Sequence, residues 1–211
     1  MDTSREILSS ALFAVQQMEV PKPPPEKLQP FLTKPLLRCF EENFDLSREK
    51  ANQAFRHFWN YAGTFGVRQN QWFDGIPELL QALLDKDKTL HIATAREIAQ
   101  VKYFLDFKKH SKTFSVIVGP SSDMVEQRRT KKIILFDTIC EIIQRGLGSC
   151  LHEDCIMIGD RVGDIWAARH NMISSVGVTY GQDDEETLKE AEPDYIVNNT
   201  RELSEVLLQE N

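Results

Sequence analysis

The chain has 211 residues, 41% hydrophobic and 27% charged, with a formal net charge of −7. That length accommodates one or two domains with a real core, and the composition is that of an ordinary soluble globular protein. The acidic balance argues against a nucleic-acid binder, which needs a basic face, and any anionic substrate must be met by locally placed cations.

No apolar run nears the ~18 residues of a membrane span. The opening Met1-Asp2-Thr3-Ser4-Arg5-Glu6 lacks the basic and apolar regions of a signal peptide, so a cytoplasmic protein is expected. Cys39, Cys140, Cys150 and Cys155 show no CxxC spacing, which suits a reducing compartment. Cys150, His152 and Cys155 imitate a zinc cluster, but Cys155 opens a buried strand and no fourth ligand is evident.

In chain order, Thr3-Ser4-Arg5-Glu6 reads as a capping box. Behind it Ile7, Leu8, Ala11, Leu12, Val15 and Met18 recur at helical spacing. Val20 to Pro25 is a proline-rich extended turn, with recognition by another protein as the alternative. Leu28 to Phe44 is a second helical region, broken at Pro35. A third helix follows Asp45-Leu46-Ser47. Its stripe of Phe55, Phe58, Trp59 and Tyr61 is read as core, and Gly63 and Gly66 mark its exit. Residues 1–70 are therefore expected to form a small all-helical domain.

From Trp72 the pattern alternates. Helices are expected over Pro77–Leu84, Glu97–Lys108, Thr130–Arg145, Glu185–Ala191 and Arg201–Gln209. Strands are expected over Thr89–Thr94, Phe114–Val118, Cys155–Ile158, Ile173–Val178 and Tyr195–Val197. This order predicts an α/β domain, residues 71–211, with a doubly wound parallel sheet. Cys155–Ile158 is apolar enough for burial on both faces. Gly159 stops it, and Asp160 follows at its carboxyl end, where such sheets bind ligands. Asp164 lies four residues on, at the start of an Ala-rich helix. The two carboxylates can converge on a hard cation such as Mg²⁺, or can simply cap the helix. No G-x-G-x-x-G or P-loop motif supports a plain nucleotide-binding domain.

Two more positions stand at comparable places. Thr94 ends a strand before Ala95-Arg96, where a hydroxyl and backbone N–H groups could hold phosphate or make an N-cap. Lys131 follows Arg128-Arg129-Thr130 at a helix start, against the helix dipole. Lys132 is its fallback, and a solvated surface lysine is the commoner explanation.

Thr94, then Lys131, then Gly159-Asp160-x-x-x-Asp164 resembles the second, third and fourth motifs of the haloacid dehalogenase (HAD) superfamily of phosphohydrolases. More narrowly, the chain resembles the phosphoglycolate phosphatase-like branch with a helical cap. Ser175 to Gly181 is similar to the segment after the fourth motif, and Phe31 to Leu36 to the cap loop facing substrate. The resemblance implies a Rossmann-like core and Mg²⁺-dependent hydrolysis of a small phosphorylated metabolite, with no nucleic-acid or membrane partner. Thr94 and Ala95 would bind the phosphoryl group, Lys131 would neutralise it, and Asp160 would ligate Mg²⁺. Asp164 would support the ion or pair with Lys131. Lys34 and Arg38 in the cap are candidate substrate contacts or members of a solvated helix face.

The family's first motif, a strand ending Asp-x-Asp-Gly-Thr, has no counterpart; the sole Asp-Gly pair, Asp74-Gly75, lies behind the cap. That strand supplies the nucleophile and general acid, and it occupies the centre of the sheet. Without it the strands of Thr94 and Asp160 would stand about 10 Å apart, two strand spacings. Their facing backbone groups would lack partners, at on the order of 1–3 kcal/mol each when buried. The expectation is a start read too late, Met1 being internal to a longer active phosphatase, and a chain inactive as given. The alternative is a non-catalytic HAD-like protein that binds a phosphorylated ligand or a protein partner.

Overall fold

The structure is a computed structural model that describes residues 1–121, 130–149 and 154–209. It divides into two compact units, Met1–Trp72 and Phe73–Asn211.

The first unit is helical. It comprises α1 (Ser4–Gln17), α2 (Pro25–Leu28), a 3-10 turn (Gln29–Leu32), α3 (Leu36–Phe44), α4 (Arg48–Thr64) and a second 3-10 turn (Gly66–Gln69). Alanines set the main contact. Ala11 and Ala14 of α1 and Ala51, Ala54 and Ala62 of α4 are fully buried, in one core with Phe31, Phe40 and Phe58. Small residues let two helix backbones approach, and the rings fill the rest of the core. Pro35 is the N-cap of α3 and Ser47 caps α4 by accepting from Lys50 N. The aromatic stripe divides: Phe58 is buried, whereas Trp59 is 43% exposed.

The capping box expected at Thr3 and Glu6 does not form, since Thr3 makes no side-chain cap. Asp2 Oδ1 accepts from Ser4 N instead. Glu6 turns inward, 1% exposed, and accepts from Asn70 Nδ2, while Asp2 and Gln71 exchange backbone hydrogen bonds. A carboxylate that meets a buried amide donor has no reason to turn back to its own helix end.

The second unit runs α5 (Ile76–Asp85), β1 (His91–Ala93), α6 (Ile98–Phe107), β2 (Val116–Val118), α7 (Lys131–Gln144), β3 (Ile156–Gly159), α8 (Val162–His170), β4 (Ser174–Val178), α9 (Glu185–Glu190), β5 (Tyr195–Val197) and α10 (Thr200–Leu208). All strand pairs are parallel, but the sheet is in two pieces, β1-β2 and β3-β4-β5. Among the described residues no strand joins β1 to β3.

The helical layer is not interrupted. α7 packs on β1, β2 and α8, and α8 packs on β3 and β4. Leu135 of α7 and Ala167 and Ala168 of α8 share one cluster with Ala93 of β1 and Met157 of β3. On the other face α5 and α10 pack Leu79, Leu83 and Leu203 against Val176, Val178 and Val197. One expectation fails here. β3 is not buried on both faces, for Ile156 is 37% and Ile158 40% exposed. Among the described residues β3 has a strand neighbour on its β4 edge alone, and its other edge leaves these side chains open.

Candidate functional site

β3 and the turn after it build the centre of the site. Asp160 follows Gly159 directly, and Arg161 is the N-cap of α8, which places Asp164 in the first turn. Asp164 is 6% exposed. Its Oδ2 accepts from Arg161 N at 3.2 Å, so it does cap its own helix. Its Oδ1 takes the Lys131 ammonium, which reaches across from the first residue of α7. The pair explains a lysine at a helix N-terminus: its charge is spent on a carboxylate, not left against the dipole. Lys132 is exposed, and its carbonyl accepts from Asn171 Nδ2. Burial pushes the Asp164 carboxyl above its ordinary value, and Lys131 opposes that rise.

The loop after β4 fixes Asp160. Its Oδ2 accepts from Gln182 N at 3.1 Å and its carbonyl from Asp183 N at 3.0 Å. Asp183 Oδ2 in turn accepts from Val162 N at 2.9 Å, satisfying an orphan donor of α8. Sequence reasoning missed Gln182 and Asp183; the polar run after Gly181 was their only signal. Two glycines make the close packing possible. A Cβ at Gly159 would overlap the Asp164 side chain, and one at Gly181 would overlap that of Asp160.

Thr94 lies just beyond β1, where its N–H donates to Val118 O at 2.9 Å. The helix expected from Glu97 starts one residue later, and Ala95 and Arg96 stand ahead of it. They form a bend, α6 begins at Ile98, and Thr94 Oγ1 accepts from Arg96 N at 3.1 Å. The bend closes against Gly119, where a Cβ would come within 2.7 Å of Thr94 O. Lys34 and Arg38 belong to the helical unit. Lys34 is exposed in the turn before α3, and Arg38 pairs with Glu42 one turn on, at 2.9 Å. Arg128, Arg129, Cys150 and His152 lie outside the described residues.

Among the described residues no three of His, Cys, Asp and Glu are grouped to hold a metal. Two carboxylates suffice for Mg²⁺, which keeps several waters and takes further oxygens from a phosphate. The donor set fits that ion: both Asp164 oxygens are engaged, whereas among the described residues Asp160 has only Oδ2 committed. Asp160 is therefore the residue that would hold it.

Comparison with known proteins places these features in a group. The family model for haloacid dehalogenase-like hydrolases matches residues 1–178. A 5'-nucleotidase from Pseudomonas aeruginosa is 33% identical, over 98% of this chain and 90% of its own. A phosphoglycolate phosphatase from Vibrio vulnificus is 26% identical, over 79% of this chain and 69% of its own. Of solved structures, a phosphatase of Clostridium difficile superimposes with a TM-score of 0.86 at 26% identity, over 98% of this chain and 92% of that one. One from Clostridium acetobutylicum gives a TM-score of 0.76 at 30% identity, with the same coverage.

Proposed function

We propose, since this chain belongs to the haloacid dehalogenase-like hydrolases, that its α/β unit is built for Mg²⁺-dependent hydrolysis of a small phosphomonoester. The observation that carries the reading is Lys131 paired with buried Asp164 beside Asp160, beyond the carboxyl end of β3. In this reading Thr94 and the Ala95 backbone hold the phosphoryl group, and Lys131 neutralises it. Asp164 sets the ammonium in place, and Asp160 holds the ion. When bound, Mg²⁺ supplies charge stabilisation to the transferring group. Positioning and electrostatics of this kind provide most of the rate in phosphoryl transfer.

The names of the relatives suggest two substrate classes, a phosphoglycolate-like acid and a nucleoside 5'-phosphate. Attack on phosphorus also needs a second strand-end carboxylate, facing Asp160. Asp74 does not meet that need, as it precedes the N-cap of α5 and not the end of a strand. The hydrolytic form in this reading carries an Asp-x-Asp-Gly-Thr strand between β1 and β3, and the 211 residues alone do not turn over.

The test is hydrolysis of p-nitrophenyl phosphate, phosphoglycolate and a nucleoside 5'-monophosphate, with and without Mg²⁺. Two proteins are compared, the 211-residue chain and the same chain with such a strand fused ahead of Met1. Loss of a nucleophile elsewhere costs on the order of 10⁶ in turnover, so activity is expected in the fusion alone. Hydrolysis by the unfused chain would overturn the inactivity; none by either would leave phosphate binding without catalysis, the non-catalytic reading.

A further inference from the structure

α7 is apolar on two opposite sides. Its inner side, Ile134, Leu135, Thr138 and Ile142, is buried. Thr138 is accommodated there because its hydroxyl donates to Ile134 O, one turn back, at 2.8 Å. The outer side carries the larger groups. Ile133 is 45%, Phe136 56% and Ile143 53% exposed, and Cys140 stands half-buried between them. Single apolar side chains on a surface are ordinary. These four, however, follow one another at spacings of three, four and three residues, which lines them up as the a and d positions of a coiled-coil seam. A surface helix turns polar groups to water on the side away from its core, and α7 does the reverse. Lys131 points to Asp164 instead, so the seam and the phosphate-binding residues use different sides of one helix.

The charges beside the seam complete it. With Ile133 and Cys140 at a and Phe136 and Ile143 at d, Lys132 falls at g and Asp137 at e, on opposite borders of the stripe. Two parallel copies of α7 bring the Lys132 ammonium of each to the Asp137 carboxylate of the other, and two-fold symmetry makes that pair twice. An antiparallel pair would set the two Asp137 carboxylates together. We propose that the outer side of α7 is the interface of a homodimer, in which two copies of this helix lie parallel and pack Phe136 against Phe136. The occupant is a second copy, because one helix supplies both the apolar seam and the two opposite charges that pair across it. Half-exposed side chains of this size offer about 100 Å² each. Two copies therefore bury less than the ~1,200 Å² of a standard interface, and the dimer is weak and reversible.

The test is sedimentation velocity on the full 211-residue chain across the micromolar range, with circular dichroism to check folding. A shift from monomer to dimer with concentration is expected. Phe136→Glu, at an exposed position, should keep the spectrum and stay monomeric. Lys132→Glu should weaken the dimer roughly tenfold, since it sets two carboxylates together on each border. Adding Asp137→Lys to that variant should restore the wild-type affinity. Copper-phenanthroline oxidation should join two chains through Cys140, because a positions face each other in a parallel pair, and Cys140→Ser should stay unjoined. A folded wild-type chain that is monomeric throughout would overturn the proposal. So would a dimer that survives Phe136→Glu, which would assign association to another surface. A dimer lost in Phe136→Glu but indifferent to both charge changes would overturn the parallel pairing.

Discussion

Gly159 is restricted by its neighbour, not by its backbone angle. Replacing it with Ala puts a methyl into the Asp164 side chain, and α8 must move to relieve the overlap. Gly159→Ala should lower stability by about 1–3 kcal/mol, as overpacking does; a urea midpoint matching wild type would contradict the packing described. His91 gives a pH signature. Burial holds its imidazole below the ordinary 6.5, and its Nδ1 is enclosed without a hydrogen-bond partner among the described residues. The unfolded chain therefore takes up the proton first, so stability falls with pH through that window. Denaturant melts from about pH 7 to pH 5 should show wild type losing stability relative to His91→Gln, which has nothing to titrate there. Equal slopes would show that His91 is solvated. At this scale the sequence was informative about Asp160, Asp164 and Lys131, because charged residues at element boundaries stand out. For Gln182 and Asp183 it offered no more than a polar run, because their partners lie about twenty residues away.

Helix ends are where local sequence had most authority. Thr130, Asp184 and Asn199 each cap the helix that follows by accepting from a backbone N–H. Asn199 accepts from Glu202 N at 2.9 Å, and Asn198 N–H donates to the Glu202 carboxylate at 2.7 Å. Asn199→Ala should cost about 1 kcal/mol, seen as a lower urea midpoint with unchanged m-value. No loss would mean that Asn198 and Glu202 hold the end alone. Thr3 is the exception that defines the rule's limit. Its motif is correct, yet Glu6 is taken by Asn70, which comes from the far end of the helical unit. Strands were legible as apolar runs, β5 at its expected bounds and β3 at its expected length, but β1, β2 and β4 came out shorter, β1 spanning three residues where six were expected. Among the described residues β1 pairs on its β2 edge alone, over the three positions His91 to Ala93.

Over the whole molecule, the two units have separate cores. The helical core draws on residues between Ile7 and Ala62 alone, and its chain ends are tied by the Asp2–Gln71 and Glu6–Asn70 contacts. A fragment of residues 1–72 should therefore give a helical circular dichroism spectrum and a cooperative melt; a coil spectrum would show that this core needs the rest of the chain. The sequence by itself determined the class of fold, the order of elements and the interruption of the sheet, because periodicity, caps and the absence of a motif are all local properties. Only the tertiary structure decided that Asp164 both caps α8 and holds Lys131, that Glu6 leaves its capping box, and that β3 stays partly exposed. Each of those depends on which distant segment arrives beside a residue, and a linear pattern does not contain that information.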